Sequence, residues 1–497
     1  MPEYIVFLLM VAVFVALAMA LRVPIGLALA ISAVAGMVAG GRDVALRHLV
    51  EGSFGFFDVI LIIFTAMIYM RVLQATGILD SVTALLLRTF HRRKTLLLLA
   101  AMLLVMFPGM ITGSSVTSVL SSGPLVVPVL QKLGMSRYKA GAFIAMGGIL
   151  GMIAPPVNIL VMIMGGGVDI PYVGFTLPLL VLTIPPAIFI ALWLGHKEVQ
   201  VISREEMTAI LPPSYFPQYG LRLFLPLAVL IALFLSEGTL AKVMPDPGIP
   251  LIFLASSLTG LFCGRRFNFF KITQEAIQDV IPLLAILFGV GMFIQVMTLT
   301  GARGWTVIVI LSMPAALLYL GISLSMPVFG GVSAYGSASI LGVPFILAMV
   351  DKNAIITAAA LSAIVGLGDL MPPSAIAGRF SAKVVGERNF FEIVRRALIP
   401  ALVILAMGLS FLLLAPQLEQ ILISSPEAAP AGQSLTAPQT SPVKDLFGGG
   451  LLILYQLIVL FLSASLIWYL LREKRFWNQL SAALVLAMYL LRLFLIK

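Results

Sequence analysis

The motif Gly-x-x-x-Pro-Pro occurs twice in this chain, from Gly151 to Pro156 and from Gly368 to Pro373, each time inside an apolar segment long enough to cross a bilayer. Proline has no N–H, and its ring collides with the carbonyl four residues earlier. Pro155 and Pro156 should therefore free the carbonyls of Gly151 and Met152, and Pro372 and Pro373 those of Gly368 and Asp369. Carbonyl oxygens left unpaired at membrane depth need another partner, and a cation supplies one. Asp369 adds an ionisable group there. It could ligate that cation, titrate as a proton-coupling group, lie at a wet mouth, or pair with Arg379.

Two other apolar runs are interrupted by turn and hydroxyl residues about halfway along. Pro108 to Thr117 carries Thr112, Gly113, Ser114, Ser115 and Thr117, and Pro327 to Ser337 carries Gly330, Gly331, Ser333 and Ser337. Non-helical backbone at that depth is tolerated only against protein or a polar cavity, so both segments read as re-entrant hairpins.

The elements that must position these residues follow from composition. At 61% hydrophobic and 10% charged over 497 residues, with a mean hydropathy of +1.11, the chain is far from a soluble domain, in which roughly a quarter of residues are charged. It reads as an all-α polytopic membrane protein whose first partner is the lipid bilayer. The net charge of +10 comes from Lys and Arg gathered in short clusters between apolar spans. That is the positive-inside pattern and does not indicate a nucleic-acid partner. With three His and one cysteine, Cys263, at the end of a span, the chain offers no transition-metal cluster and no internal disulfide. No Walker phosphate loop is present, so neither an enzyme nor an ATP-driven pump is expected, and no cofactor.

The six clusters beginning at Arg88, Lys132, Lys197, Arg265, Lys383 and Arg472 can all be placed in the cytoplasm by one threading. In it Met1 to Leu21 is a first span with its N-terminus outside, because the only early charge is Glu3 and Arg22 follows the apolar run. Residues 1–195 form a first repeat, with a hairpin at 95–131 and a broken helix at 138–165. Residues 196–221 form a cytoplasmic connector, and 222–416 a second repeat, with a hairpin at 314–350 and a broken helix at 353–379. Thr76-Gly77 overlays Thr300-Gly301, Pro108 overlays Pro327, and Gly151 overlays Gly368, at offsets of 224, 219 and 217 residues. The first unit begins outside and the second inside, so the repeats are inverted, the arrangement of many secondary transporters. Residues 417–445 read as a flexible linker and 446–497 as two extra transmembrane helices. Ile78 to Phe90 and Phe267 to Val280 are amphipathic enough to be interfacial arm helices. Asp58 and Asp279 precede corresponding spans and read as helix-start caps, and Gly165 to Gly167 read as a hinge or a simple helix end.

In these motifs the chain resembles the large membrane subunit of tripartite ATP-independent periplasmic (TRAP) transporters, the DctM-like permeases. Arg22 to Leu29 is similar to that family's Gly-Val-Pro-Ile-x-x-Ala-Leu opening, Thr112 to Thr117 to its first hairpin tip, and the two Gly-x-x-x-Pro-Pro stretches to its paired breaks. The resemblance runs over roughly residues 5–416. It implies an elevator-type ion transporter fold in the bacterial inner membrane, with Na+ as coupling ion bound between hairpin tips and unwound helices. It also implies two partners, a periplasmic substrate-binding protein that delivers an organic acid anion such as a C4-dicarboxylate, and a small four-helix membrane subunit. The chain departs from the family in having Phe329-Gly330-Gly331-Val332 where many members carry an acid, and in its two C-terminal helices.

Carried onto this sequence, a first ion site would use Ser114, Ser115 and Thr117 with the carbonyls near Gly151 and Met152, and a second would use Gly331 and Ser333 with Gly368 and Asp369. Half-helix N-termini at the tips and after each proline pair turn positive ends inward, so the substrate should be an anion, with Ser122, Asn158, Ser337 and Ser374 as contacts. The alternatives are a stand-alone Na+ or H+ dicarboxylate symporter of the same fold, and a membrane scaffold that transports nothing.

Overall fold

The computed structural model describes residues 1–41, 46–200, 202–239, 248–423 and 450–494, and every regular element among them is helical. In lipid each backbone N–H and C=O must be satisfied within the segment, and a helix does this for runs as apolar as these. Among the described residues seven helices are long and apolar enough to span a membrane.

The 31-residue helix Phe269–Leu299 is the axis of the scaffold. Ile25–Ala39, Leu46–Phe54 and Phe57–Thr76 all pack on it. Close approach is possible because small residues meet: a Cβ on Gly26 would collide with the backbone of Ala285, and one on Gly291 with that of Gly52.

Each half then repeats one order of elements. In the first, Phe57–Thr76 ends at Gly77 in the left-handed region (φ 79°) and the chain turns into Ile78–Phe90. In the second, Phe269–Leu299 reaches Gly301 (φ 77°) and turns into Ala302–Leu311. The hairpins are Lys94–Thr112 with Ser115–Lys132, and Ala315–Gly330 with Ala334–Ala348. The broken helices are Arg137–Ile153 with Ile159–Gly167, and Ala354–Gly366 with Ile376–Val385.

Three expectations are corrected. Phe267 to Val280 is no separate arm: from Phe269 on it is the N-terminal part of Phe269–Leu299, amphipathic because one face, Ile272, Ala276 and Val280, is buried in the scaffold. The element that corresponds to Ile78–Phe90 is Ala302–Leu311. The second broken helix runs on to Val385 rather than 379 before Gly386 ends it in the left-handed region. Residues 417–422 belong to the helix Ala415–Leu422, held by Asn353 Nδ2 donating to Glu419 Oε1 at 3.1 Å, while 424–449 lie outside the described residues.

The first half-helix pair ends where the glycine run ends, at Gly167, whose carbonyl accepts from Arg303 at 2.7 Å. The connector at 196–221 contains a short helix, Arg204–Ile210, opened by a Ser203–Glu206 capping box. The two C-terminal helices, Gly450–Arg472 and Phe476–Phe494, pair with each other and lean on the scaffold axis.

Candidate functional site

Each hairpin tip is fastened to the break in the broken helix of its own half. Val157 N–H, just past Pro155-Pro156, donates to the Met110 carbonyl at 3.1 Å. Ser374 N–H, just past Pro372-Pro373, donates to the Gly331 carbonyl at 3.0 Å. Both Pro–Pro bonds are cis. Glycine makes the approach possible: a Cβ on Gly151 would enter the Met106 carbonyl, and one on Gly368 the backbone of Gly330. Ser114 and Ser333 open the second arms as N-caps, accepting from Thr117 N–H at 3.3 Å and Gly336 N–H at 3.1 Å.

The two halves meet through side chains. Ser115 Oγ, on the first tip, hydrogen-bonds Asp369 Oδ2 in the second break, and Asp369 is 6% exposed. Tyr335, on the second tip, donates its O–H to the carbonyl of Gly113 on the first at 3.1 Å. These residues border a cavity of about 550 Å³, whose first wall carries Ser114, Ser115, Thr117, Tyr335 and Asp369. The opposite wall belongs to the scaffold helices, with Met67, Met70, Arg71 and Gln74 from one and Asp279, Leu283 and Ile286 from the other. Arg71 Nε donates to Asp279 Oδ2 at 2.7 Å. Gln74 Nε2 reaches Ser121 Oγ on the hairpin at 2.7 Å, across the join between the walls.

The residues singled out in the sequence are therefore distributed unevenly. Ser114, Ser115, Thr117 and Asp369 come together at the cavity, but across the halves rather than within them. Gly151 and Met152 sit behind the first tip, buried beside Met106 and Gly109. Gly331 and Ser333 are engaged by Ser374 N–H and Gly336 N–H at the second tip. Ser122 donates to the Leu104 carbonyl at 2.6 Å and Ser337 to the Met326 carbonyl at 2.9 Å, so both hydroxyls bind the two arms of a hairpin to each other. Asn158 accepts from Val161 N–H at 3.1 Å and donates to the Ile153 carbonyl at 2.8 Å and to Ser362 Oγ at 3.0 Å. The Ser374 hydroxyl is buried with no hydrogen-bond partner.

Arg379 does not face Asp369: it donates to the Pro373 carbonyl at 2.7 Å and lies over the Phe390 ring at 5.0 Å. Asp279 is no cap but a mid-helix residue of the cavity wall. Arg71 was missed, although the signal was present, a cation in a helix whose other residues include only Asp58 as a charge.

Paired hairpins and broken helices, arranged in two matching halves and converging on a cavity that holds Arg71, Asp279 and Asp369, define a polytopic helical membrane transporter. The chain belongs to the family of the tripartite ATP-independent periplasmic transporter DctM component, whose profile matches residues 10–418. Its fold is similar to that in the crystal structure of the Alcanivorax borkumensis YdaH transporter, at a TM-score of 0.53 and 17% sequence identity, covering 74% of this chain and 87% of that one. Among curated proteins none matches. Family membership makes the chain a large permease component of a solute transporter, multi-pass in the inner membrane.

Proposed function

We propose that this permease couples Na+ entry to uptake of an organic acid anion, carrying both across the membrane by an elevator motion in which hairpins and broken helices move as one body past the scaffold. The observation that carries this reading is the meeting of Ser115 and Asp369 at the wall of the cavity. A buried carboxylate held by one hydroxyl, with further hydroxyl oxygens at Ser114 and Thr117, is a donor set suited to a small hard cation. Because Ser115 and Asp369 come from different halves, an ion between them would bind the moving elements to one another. The scaffold wall of the cavity is built from the ends of its helices nearest the Arg88 and Arg265 clusters, which the positive-inside rule assigns to the cytoplasm. On that threading the N-terminus is periplasmic and the cavity is the inward-facing one.

The same reading gives the chain two partners, a periplasmic substrate-binding protein that presents the anion and a small four-helix membrane subunit that braces the scaffold. Thermal unfolding of the purified full-length chain in lipid nanodiscs, in NaCl against choline chloride at equal ionic strength, tests the ion. Stabilisation by Na+ should be present in the wild type and lost in Ser115→Ala and in Asp369→Asn. Equal unfolding temperatures of the wild type in the two salts would refute it. In proteoliposomes, uptake should require added binding protein; uptake by the chain alone would favour the stand-alone symporter.

A further inference from the structure

Arg71 is the one cation among the described residues that line the cavity. It stands on the scaffold wall, facing the hydroxyls of Ser114, Ser115 and Thr117. A guanidinium in an apolar helix is costly unless paired, and Asp279 on the neighbouring scaffold helix pairs it. The pairing is incomplete: Nε and one terminal nitrogen both converge on Oδ2 of Asp279. A free carboxylate presents two oxygens to a guanidinium in parallel, the stronger fork-to-fork arrangement. The two side chains are also 33% and 39% exposed. An ion pair that exposed is weak, so exchanging its acid for another costs little.

We infer that Arg71 is the carboxylate-binding residue of the cavity, and that Asp279 is its internal stand-in, displaced from the guanidinium when an organic acid anion enters. This rests on the transport reading above. It adds a reason for coupling, because Arg71, Asp279 and Asp369 together give the cavity two acids against one base. An arriving carboxylate meets net negative charge until a cation settles at Asp369. In this inward-facing cavity sodium should therefore bind before the acid, and Arg71 should take the acid from the hairpin hydroxyls once the moving body has brought it to this end of the scaffold.

The test uses the full-length chain in nanodiscs, titrated in saturating NaCl with acetate, pyruvate, succinate and 2-oxoglutarate, with thermal stabilisation as the readout. Removing the stand-in by Asp279→Asn should lower the half-saturating concentration of the preferred acid by up to ~5-fold, whereas Arg71→Gln should abolish the response. The double variant Arg71→Gln with Asp279→Asn buries no unpaired charge and controls for misfolding; it too should give no response. Three results would overturn the proposal: a double variant that responds like the wild type, an Asp279→Asn variant that loses the response, or no response from either wild type or Asp279→Asn. The Na+ response of the wild type is read in the same samples. Its presence without any acid response sinks the anion site alone, and its absence sinks the ion-coupled reading beneath it.

Discussion

Tyr335 donates its phenolic O–H to the carbonyl of Gly113 at 3.1 Å, which ties the tip of the second hairpin directly to the tip of the first. With the Ser115–Asp369 bond it makes two of the side-chain links across the halves, while Val157 N–H and Ser374 N–H make the backbone links within them. These four hydrogen bonds join both hairpins and both broken helices. Among the described polar side chains at the cavity, only Gln74 reaches from the scaffold to a hairpin, at Ser121.

Tyr335→Phe removes one of these links and leaves the Gly113 carbonyl without its donor. A lost neutral hydrogen bond costs about 1 kcal/mol, rising to about 3 kcal/mol where the remaining partner stays buried. The variant should unfold at a lower temperature than the wild type in nanodiscs. An unchanged unfolding temperature would mean that the two tips are held together by packing alone.

Asn158 is the better test of what a buried polar residue does here. Its amide caps the half-helix Ile159–Gly167, closes the break at the Ile153 carbonyl, and bonds Ser362 in the second broken helix. A lost cap costs about 1 kcal/mol, and each orphaned buried partner about as much again. Asn158→Ala should therefore lower thermal stability by about 2–3 kcal/mol with or without any organic acid present. A residue that served only to contact substrate would lose binding and leave stability alone.

What the sequence made legible follows the range of the physics involved. Helix breaks at Pro155-Pro156 and Pro372-Pro373 are a local consequence of proline chemistry, and the hairpin tips at Ser114 and Ser333 are local N-caps. Those features could be placed to within a few residues. The partners across the site could not, because Ser115 and Asp369 are 254 residues apart and Arg71 and Asp279 are 208 apart. Periodicity carries no information about such pairs. The misplaced arm at Phe267 to Val280 has another cause: amphipathic spacing marks any helix with one buried face, whether that face meets lipid headgroups or a neighbouring helix. The matching left-handed glycines, Gly77 and Gly301, were the more reliable signal for where each arm begins.

Glycine at the two breaks is required by contact rather than by backbone angle. In Gly151→Ala the new methyl meets the Met106 carbonyl, and in Gly368→Ala it meets Gly330, backbone against backbone in each case. Overpacking of this kind costs about 1–3 kcal/mol or more, and here it would also push the tip off the break. Both variants should unfold earlier and lose the Na+ response. Gly304→Ala is the control, since nothing lies within 4 Å of the added carbon. It should leave the Na+ response unchanged and, through helix propensity, stabilise the fold by up to about 1 kcal/mol rather than weaken it.

The C-terminal pair of helices lies beyond the residues matched by the family and packs on the scaffold away from the cavity. Asp279, Leu283 and Ile286 recur at helical spacing and form one stripe along Phe269–Leu299. Phe288 lies about 200° round the helix from Ile286, on another face. There Tyr489 stands edge-on to both Phe288 and Phe57, at ring separations of 6.1 and 5.4 Å, and is fully buried. Ser53 Oγ donates to the neighbouring Met488 Sδ at 3.1 Å. In lipid such packing, rather than expulsion of water, holds helices together, so Tyr489→Ala should cost about 1–3 kcal/mol, less than the same truncation in a soluble core. Truncation after residue 423 should lower the unfolding temperature further, because it bares Phe57 and Phe288 together. Neither change reaches the cavity wall, so the Na+ response of the folded fraction should persist in both. A truncated protein that folds but no longer responds to Na+ would instead make these helices part of the transport machinery rather than a brace on its scaffold.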